Sequence, residues 1–135
     1  MSKKAKRVVI LVLCLVIAVI LFFSGSYYYD LMRYRRIISN ITISTPDISR
    51  IGDGVFNGFF DAKLISADVD VVVENYRIAD IIINSHYNDR GHFAEVIVFD
   101  VIDRQSLEID AVSGATNSSL VILKAIQNAL ERYVD

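Results

Sequence analysis

The chain has a single cysteine, Cys14, a single proline, Pro46, and only two histidines, His86 and His92. One cysteine excludes an intrachain disulfide and a thiolate metal cluster. Cys14 lies in the middle of an apolar run and follows the bulky Leu13, which argues against lipidation and reads as a buried apolar thiol. Two histidines without carboxylates at ligand spacing make no metal site. The sequence has no Ser/His/Asp order, no glycine pattern of a nucleotide fold, no carboxylate pair placed for hydrolysis, and no internal repeat. Basic charge is scarce beyond the N-terminus. Residues 30–135 carry all 16 acidic groups but 10 of the 14 basic ones, a net charge of −6. That balance disfavours nucleic acid as a partner, because a polyanion needs a basic footprint.

What the chain does have is a long apolar segment. Its mean hydropathy of +0.41 is raised by Val8 to Tyr29, which is free of charge. About 20 apolar residues span the hydrocarbon core of a bilayer as a helix. Tyr27, Tyr28 and Tyr29 then fall at the interface, where amphipathic rings prefer to sit. Lys3, Lys4, Lys6 and Arg7 precede the span and favour a cytoplasmic N-terminus; Arg33, Arg35 and Arg36 argue weakly the other way. Ser24-Gly25-Ser26 offers small residues for cleavage, but the apolar run exceeds a usual signal-peptide core, so an uncleaved anchor is expected. The expected localisation is the cell membrane, single-pass, with the C-terminal domain extracytoplasmic. The chain divides into a basic tail at 1–7, a transmembrane helix at 8–29, a stalk at 30–46 and a folded domain at 47–135.

Within the domain the hydrophobic period changes from two to 3.6. Leu31 to Ile38 continues the first helix, and Thr45-Pro46-Asp47 breaks it. Gly54 to Ala62 reads as an opening strand. Lys63 to Val73 alternates apolar and polar residues, Glu74-Asn75-Tyr76 is a tight turn, and Arg77 to Asn84 is the return strand. Ser85 to Gly91 is polar and reads as a loop, with Asp89 and Arg90 as solvated charges. Ala94, Ile97, Val98, Val101 and Ile102 lie on one helical face. Leu107 to Ala111 is expected to return to the sheet. Ile122, Ala125, Ile126, Ala129, Leu130 and Tyr133 predict a last helix that begins close to Asn117. The fold class is α+β: a small antiparallel sheet with helices on one side, preceded by a single N-terminal transmembrane helix.

Residues 110–119, DAVSGATNSS, stand out as small and polar in a hydrophobic protein. They form a strand-to-helix turn ending in a helix N-terminus, where the leading amides lack partners and the dipole is positive. That is an anion site whose usual occupant is a phosphate. Gly114 and Ala115 permit close approach, while Ser113, Thr116, Asn117, Ser118 and Ser119 offer side-chain hydrogen bonds. Capping alone needs one such residue, and here there are five. His86 and His92 bracket the loop before the first helix of the domain and read as ordinary exposed loop histidines, although either could approach a ligand held at this turn. Tyr87 and Phe93 could stack on a planar ligand, but core packing is the expectation for both.

Asp110-Ala111-Val112-Ser113-Gly114-Ala115-Thr116, followed by Asn117-Ser118-Ser119, resembles the flavinylation signature of the FMN-binding domain family. That family includes the peripheral subunits of sodium-pumping NADH:quinone oxidoreductases and of related ferredoxin:NAD reductase complexes. Gly52 to Gly58 resembles the family's opening strand, and Gln105 to Asp110 its lead-in to the flavin turn. The resemblance covers about Ile51 to Leu130. It implies that a flavin transferase joins the phosphate of FMN to the hydroxyl of Thr116, and that Asp110 is recognised by that transferase. It also implies an electron carrier that works with a membrane redox partner protein and the lipid bilayer. The chain resembles a minimal member of the family: the long N-terminal region of the large members is lacking, and Asn75-Tyr76 stands where a glycine is common. No catalytic base or nicotinamide site is visible, which points to a carrier or oxidoreductase subunit and away from an autonomous reductase. The competing readings are a non-covalent FMN-binding redox sensor or regulatory module, and a flavin-free interaction module.

Overall fold

A computed structural model of the chain describes residues 2–88 and 91–134. Asp89 and Arg90, read above as solvated loop charges, lie outside the described residues. The first element is a continuous helix, α1, Lys3–Ser39. Ser2 caps it by accepting from the Ala5 amide at 3.2 Å. At 1.5 Å per residue its 37 residues extend about 55 Å. It is long and apolar enough to cross a membrane, and its apolar stretch, including Cys14, is exposed. The thiol is therefore on the outer surface of α1 and not in a protein core.

The last turns of α1 behave differently. Tyr34, Ile37 and Ile38 pack against the core of the domain. The helix ends at Ser39, ahead of Pro46, and the chain then runs extended along the domain. Ile41 and Ile43 join the core. Ser44 exchanges bonds with Gln127: its amide donates to Oε1 at 3.3 Å, and its hydroxyl accepts from Nε2 at 3.0 Å.

Three antiparallel strands follow in the order β1-β2-β3: β1 Gly54–Asp61, β2 Ser66–Glu74 and β3 Arg77–Tyr87. The alternation in β2 puts Ala67, Val69, Val71 and Val73 in the core. Bulges between Asp68 and Val69 and between Val72 and Val73 shift the pairing of β3, so Ile78 and Ile81 are both buried although they are three apart. The hairpin turn holds Asn75 and Tyr76 at φ 51° and 60°, as a two-residue primed turn requires. β3 continues past Asn84: His86 pairs with Ala67 and Tyr87 with Ser66. The expected loop at Ser85 is thus strand for three more residues, because β2 extends far enough to hydrogen-bond it.

A 3₁₀ turn, His92–Val96, leads into α2, Ile97–Arg104, which buries Ile97, Val98 and Val101. α2 ends at Gln105 in the left-handed conformation, φ 53°. The Gln105 side chain then occupies the edge of β3: Oε1 accepts from the Ile78 amide and Nε2 donates to the Ile78 carbonyl, both at 2.8 Å. That contact explains why Leu107 to Ala111 does not return to the sheet as expected. The edge groups a fourth strand would need at Ile78 are taken. The Leu107 amide donates to Thr45 Oγ1 at 2.9 Å, and the buried Leu107 side chain fills the core.

The final helix, α3 Thr116–Glu131, lies across β1 and β2 and buries Ile122, Ala125, Ile126, Ala129 and Leu130. Its approach to β1 is set by Gly58. A Cβ there would overlap the Ala125 carbonyl oxygen and lie 2.6 Å from the Ala129 amide nitrogen. Tyr133, expected on the buried face, lies beyond the helix end, 48% exposed, with its ring 4.6 Å from that of Phe56. The domain is α+β, with its helices gathered on one face of the sheet.

Candidate flavin site

The turn before α3 is built by one hydroxyl. Ser119 is fully buried. Its Oγ accepts from the Val112 amide at 3.0 Å and donates to the Ala115 carbonyl at 2.9 Å. The Ala115 amide in turn donates to the Val112 carbonyl at 2.9 Å. The reversal passes through Gly114 at φ +78°, a conformation L side chains rarely adopt. A Cβ on Gly114 would meet nothing within 4 Å. Glycine is therefore favoured here by the backbone, and the space it leaves is open.

Ala115 stands at the N-cap position and makes no side-chain capping bond. The leading amides of α3 thus keep their donors for whatever lies in front of them. Thr116 is the first helical residue and is exposed. Its hydroxyl sits where the helix dipole favours negative charge. Thr116 lines a cleft of about 400 Å³ together with Gly114, Ala115, Asn117 and Ser118, and with Tyr34, Ile65 and Gly91 from elsewhere in the chain. The Asn117 side-chain amide donates to the Tyr34 hydroxyl at 2.8 Å, which ties the start of α3 to α1. Ser118 is buried and packs on Gly91, where a Cβ would overlap the serine Oγ. Asn88 Oδ1 accepts from the Gly91 amide at 2.8 Å and holds that approach in place.

The structure brings Gly114, Ala115, Thr116, Asn117 and Ser118 into one cleft. Ser113 and Asp110 are exposed and do not line it. The Asp110 side chain accepts no hydrogen bond among the described residues, and the turn is held by Ser119. His86 does not line the cleft either. It is a strand residue with its side chain 1% exposed, and Nδ1 lies 3.0 Å from Glu95 Oε1. Its Nε2 is buried without a partner among the described residues. The reading of His86 as an exposed loop residue is corrected: the extension of β3 carries it inward. His92 stacks on Phe93 at 4.7 Å. Tyr87 and Phe93, expected in the core, are 70% and 68% exposed. Tyr34, Ile65 and Gly91 were not singled out from the sequence. Nothing local marks them, since they meet the turn only through folding.

This set of groups fits a flavin phosphate: an uncapped helix N-terminus, a backbone reversal left open by glycine, and a hydroxyl at the first helical position beside a cleft with a tyrosine wall. None of the curated proteins and none of the solved structures matches the chain. A comparison with known families matches residues 62–131, just over half of the chain, to the FMN-binding domain. The match runs from the end of β1 to the end of α3 and includes the whole turn that bears Thr116. The chain belongs to the FMN-binding domain family, and its cofactor is FMN.

Proposed function

We propose that this protein is a membrane-anchored, extracytoplasmic electron carrier whose FMN is attached through a phosphoester to Thr116. The observation that carries the reading is the placement of the Thr116 hydroxyl. It is exposed, it leads a helix with free amides, and it opens on a cleft inside an FMN-binding domain. The ester would keep one negative charge, which the α3 amides stabilise where they stand. Bound flavin supplies the capacity to accept and release electrons; the chain positions and tunes it. Asn117, held by Tyr34, fixes the first turn of α3, and Ser118 against Gly91 fixes the floor. A flavin transferase would install the group, and Asp110, exposed beside the turn, is available for its recognition. Electrons would come from a membrane redox partner protein.

The anchor would be Val8 to Tyr29 of α1, with Lys3, Lys4, Lys6 and Arg7 holding the N-terminus in the cytoplasm. Protease shaving of intact cells, with loss of the domain as the expected result, tests that topology. The chemical part is tested by co-expression with a flavin transferase. Mass spectrometry should find one FMN adduct on a peptide containing Thr116, and Thr116→Val should abolish it. An adduct that survives the substitution overturns the assignment. Flavin lost on acid precipitation would instead favour the non-covalent redox sensor.

A further inference from the structure

α1 does more than tether the domain; it fixes the height of the domain above the membrane. Tyr27 belongs to the uncharged stretch Val8 to Tyr29. It lines a second cleft, of about 370 Å³, together with Leu64, Tyr87 and Asn88 of the domain. Leu64 lies between β1 and β2, and Tyr87 is the last residue of β3, so both belong to the same end of the sheet. A residue of the apolar span and the lower rim of the domain therefore share one level. Tyr87 is 70% exposed and Tyr27 63%, although aromatic rings of this size usually bury much of their area. Rings with an apolar body and a polar tip favour the headgroup layer.

We propose that this rim, formed by Leu64 and Tyr87 beside Tyr27, rests in the headgroup layer of the bilayer that α1 enters. The inference rests on the reading of α1 as a membrane anchor. The occupant it commits to is the lipid surface. The rim itself offers little charge to the lipid: Leu64, Tyr87 and Tyr27 are uncharged, and Lys63 faces Asp61 at 3.8 Å. Ring and side-chain burial in the interface supplies the attraction, so the contact persists at high salt. Tyr34, which walls the flavin cleft, lies five residues beyond Tyr29, about 8 Å along the helix. The cleft bearing Thr116 consequently opens at the membrane surface, toward partners embedded in or lying on the bilayer.

The chain contains no tryptophan, so single-tryptophan variants of the full chain report their own depth. The experiment uses nanodiscs of phosphatidylcholine with a minority of phosphatidylglycerol, containing lipid brominated either high or low on the acyl chains. Tyr87→Trp and Leu64→Trp test the rim. Tyr76→Trp is the control, in the turn at the far end of the sheet, about 26 Å away at a strand rise of 3.3 Å per residue. Leu13→Trp reports the anchor. The expected result is blue-shifted emission for both rim variants, quenched about twofold by shallow bromolipid and unchanged by salt, with Tyr76→Trp unquenched. If Leu13→Trp is quenched by deep bromolipid while both rim variants behave like Tyr76→Trp, the anchor stands and the rim proposal is overturned. If Leu13→Trp is not quenched, the anchor reading fails and takes the proposal with it.

Discussion

Two hydroxyls three residues apart have different parts in the turn before α3, one structural and one proposed for flavin attachment, and replacing each in turn should separate them. Ser119 is buried and makes two bonds, from the Val112 amide at 3.0 Å and to the Ala115 carbonyl at 2.9 Å. Alanine at 119 leaves the Ala115 carbonyl satisfied, because the Ser119 amide also donates to it at 2.9 Å. The Val112 amide loses its acceptor, which costs about 1–3 kcal/mol for a group away from water. Alanine's better helix propensity returns about 0.5 kcal/mol. The net loss is about 0.5–2.5 kcal/mol, which lowers Tm by about 2–20 °C in a domain of this size. Thr116 is exposed. Thr116→Val should stay within about 0.5 kcal/mol of the parent. Thermal melts followed by circular dichroism, run beside flavin fluorescence of the denatured protein after co-expression with a transferase, read both properties. Ser119→Ala should melt early yet still accept some flavin; Thr116→Val should melt normally and carry none. A Ser119→Ala protein with the parent's Tm would refute the role of that hydroxyl in building the turn. Residual covalent flavin on Thr116→Val would refute the attachment point.

Three further outcomes follow from the packing and the charges. Gly58→Ala forces a methyl group into the backbone of α3 at Ala125 and Ala129; it should cost about 3 kcal/mol, at the upper end for overpacking because backbone cannot rotate away, measured by denaturant unfolding. At Gly114 the obstacle is φ +78° and not space, so Gly114→Ala should cost about 1 kcal/mol and Gly114→Asn less, since Asn tolerates the left-handed region; equal losses would contradict this. The Asn57 amide donates to Asp70 at 2.9 Å and holds its carboxyl below the ordinary carboxylate range. A lowered folded-state pKa stabilises the fold above the unfolded value and is lost as pH falls through the folded one. Asn57→Ala should therefore raise the Asp70 midpoint in an NMR titration, and the part of the stability loss that acts through Asp70 should be full above about pH 4 and fade as pH falls through the folded-state midpoint.

Local chemistry made much of this protein legible from its sequence. An unbroken apolar run gives a long helix, alternation at Ala67 to Val73 gives a strand with one buried face, and the 3.6-residue period from Ile122 to Leu130 gives the covering helix. The turn into the last helix was legible for the same reason, since Gly114 and the residues that follow it are contiguous. What depends on residues distant in sequence was not. Leu107 to Ala111 reads as a strand on its own, but the Gln105 amide reaches Ile78 first and closes that edge. Tyr34 reads as a stalk residue, yet it bonds Asn117 across 83 positions. His86 reads as a loop residue until the length of β2 carries it into the sheet. Periodicity fixes which face of an element is apolar, because that depends only on backbone geometry. Which elements meet, and so which side chains wall the cleft beside Thr116, is decided by close packing such as the contact of α3 on Gly58, and only the assembled tertiary structure contains it.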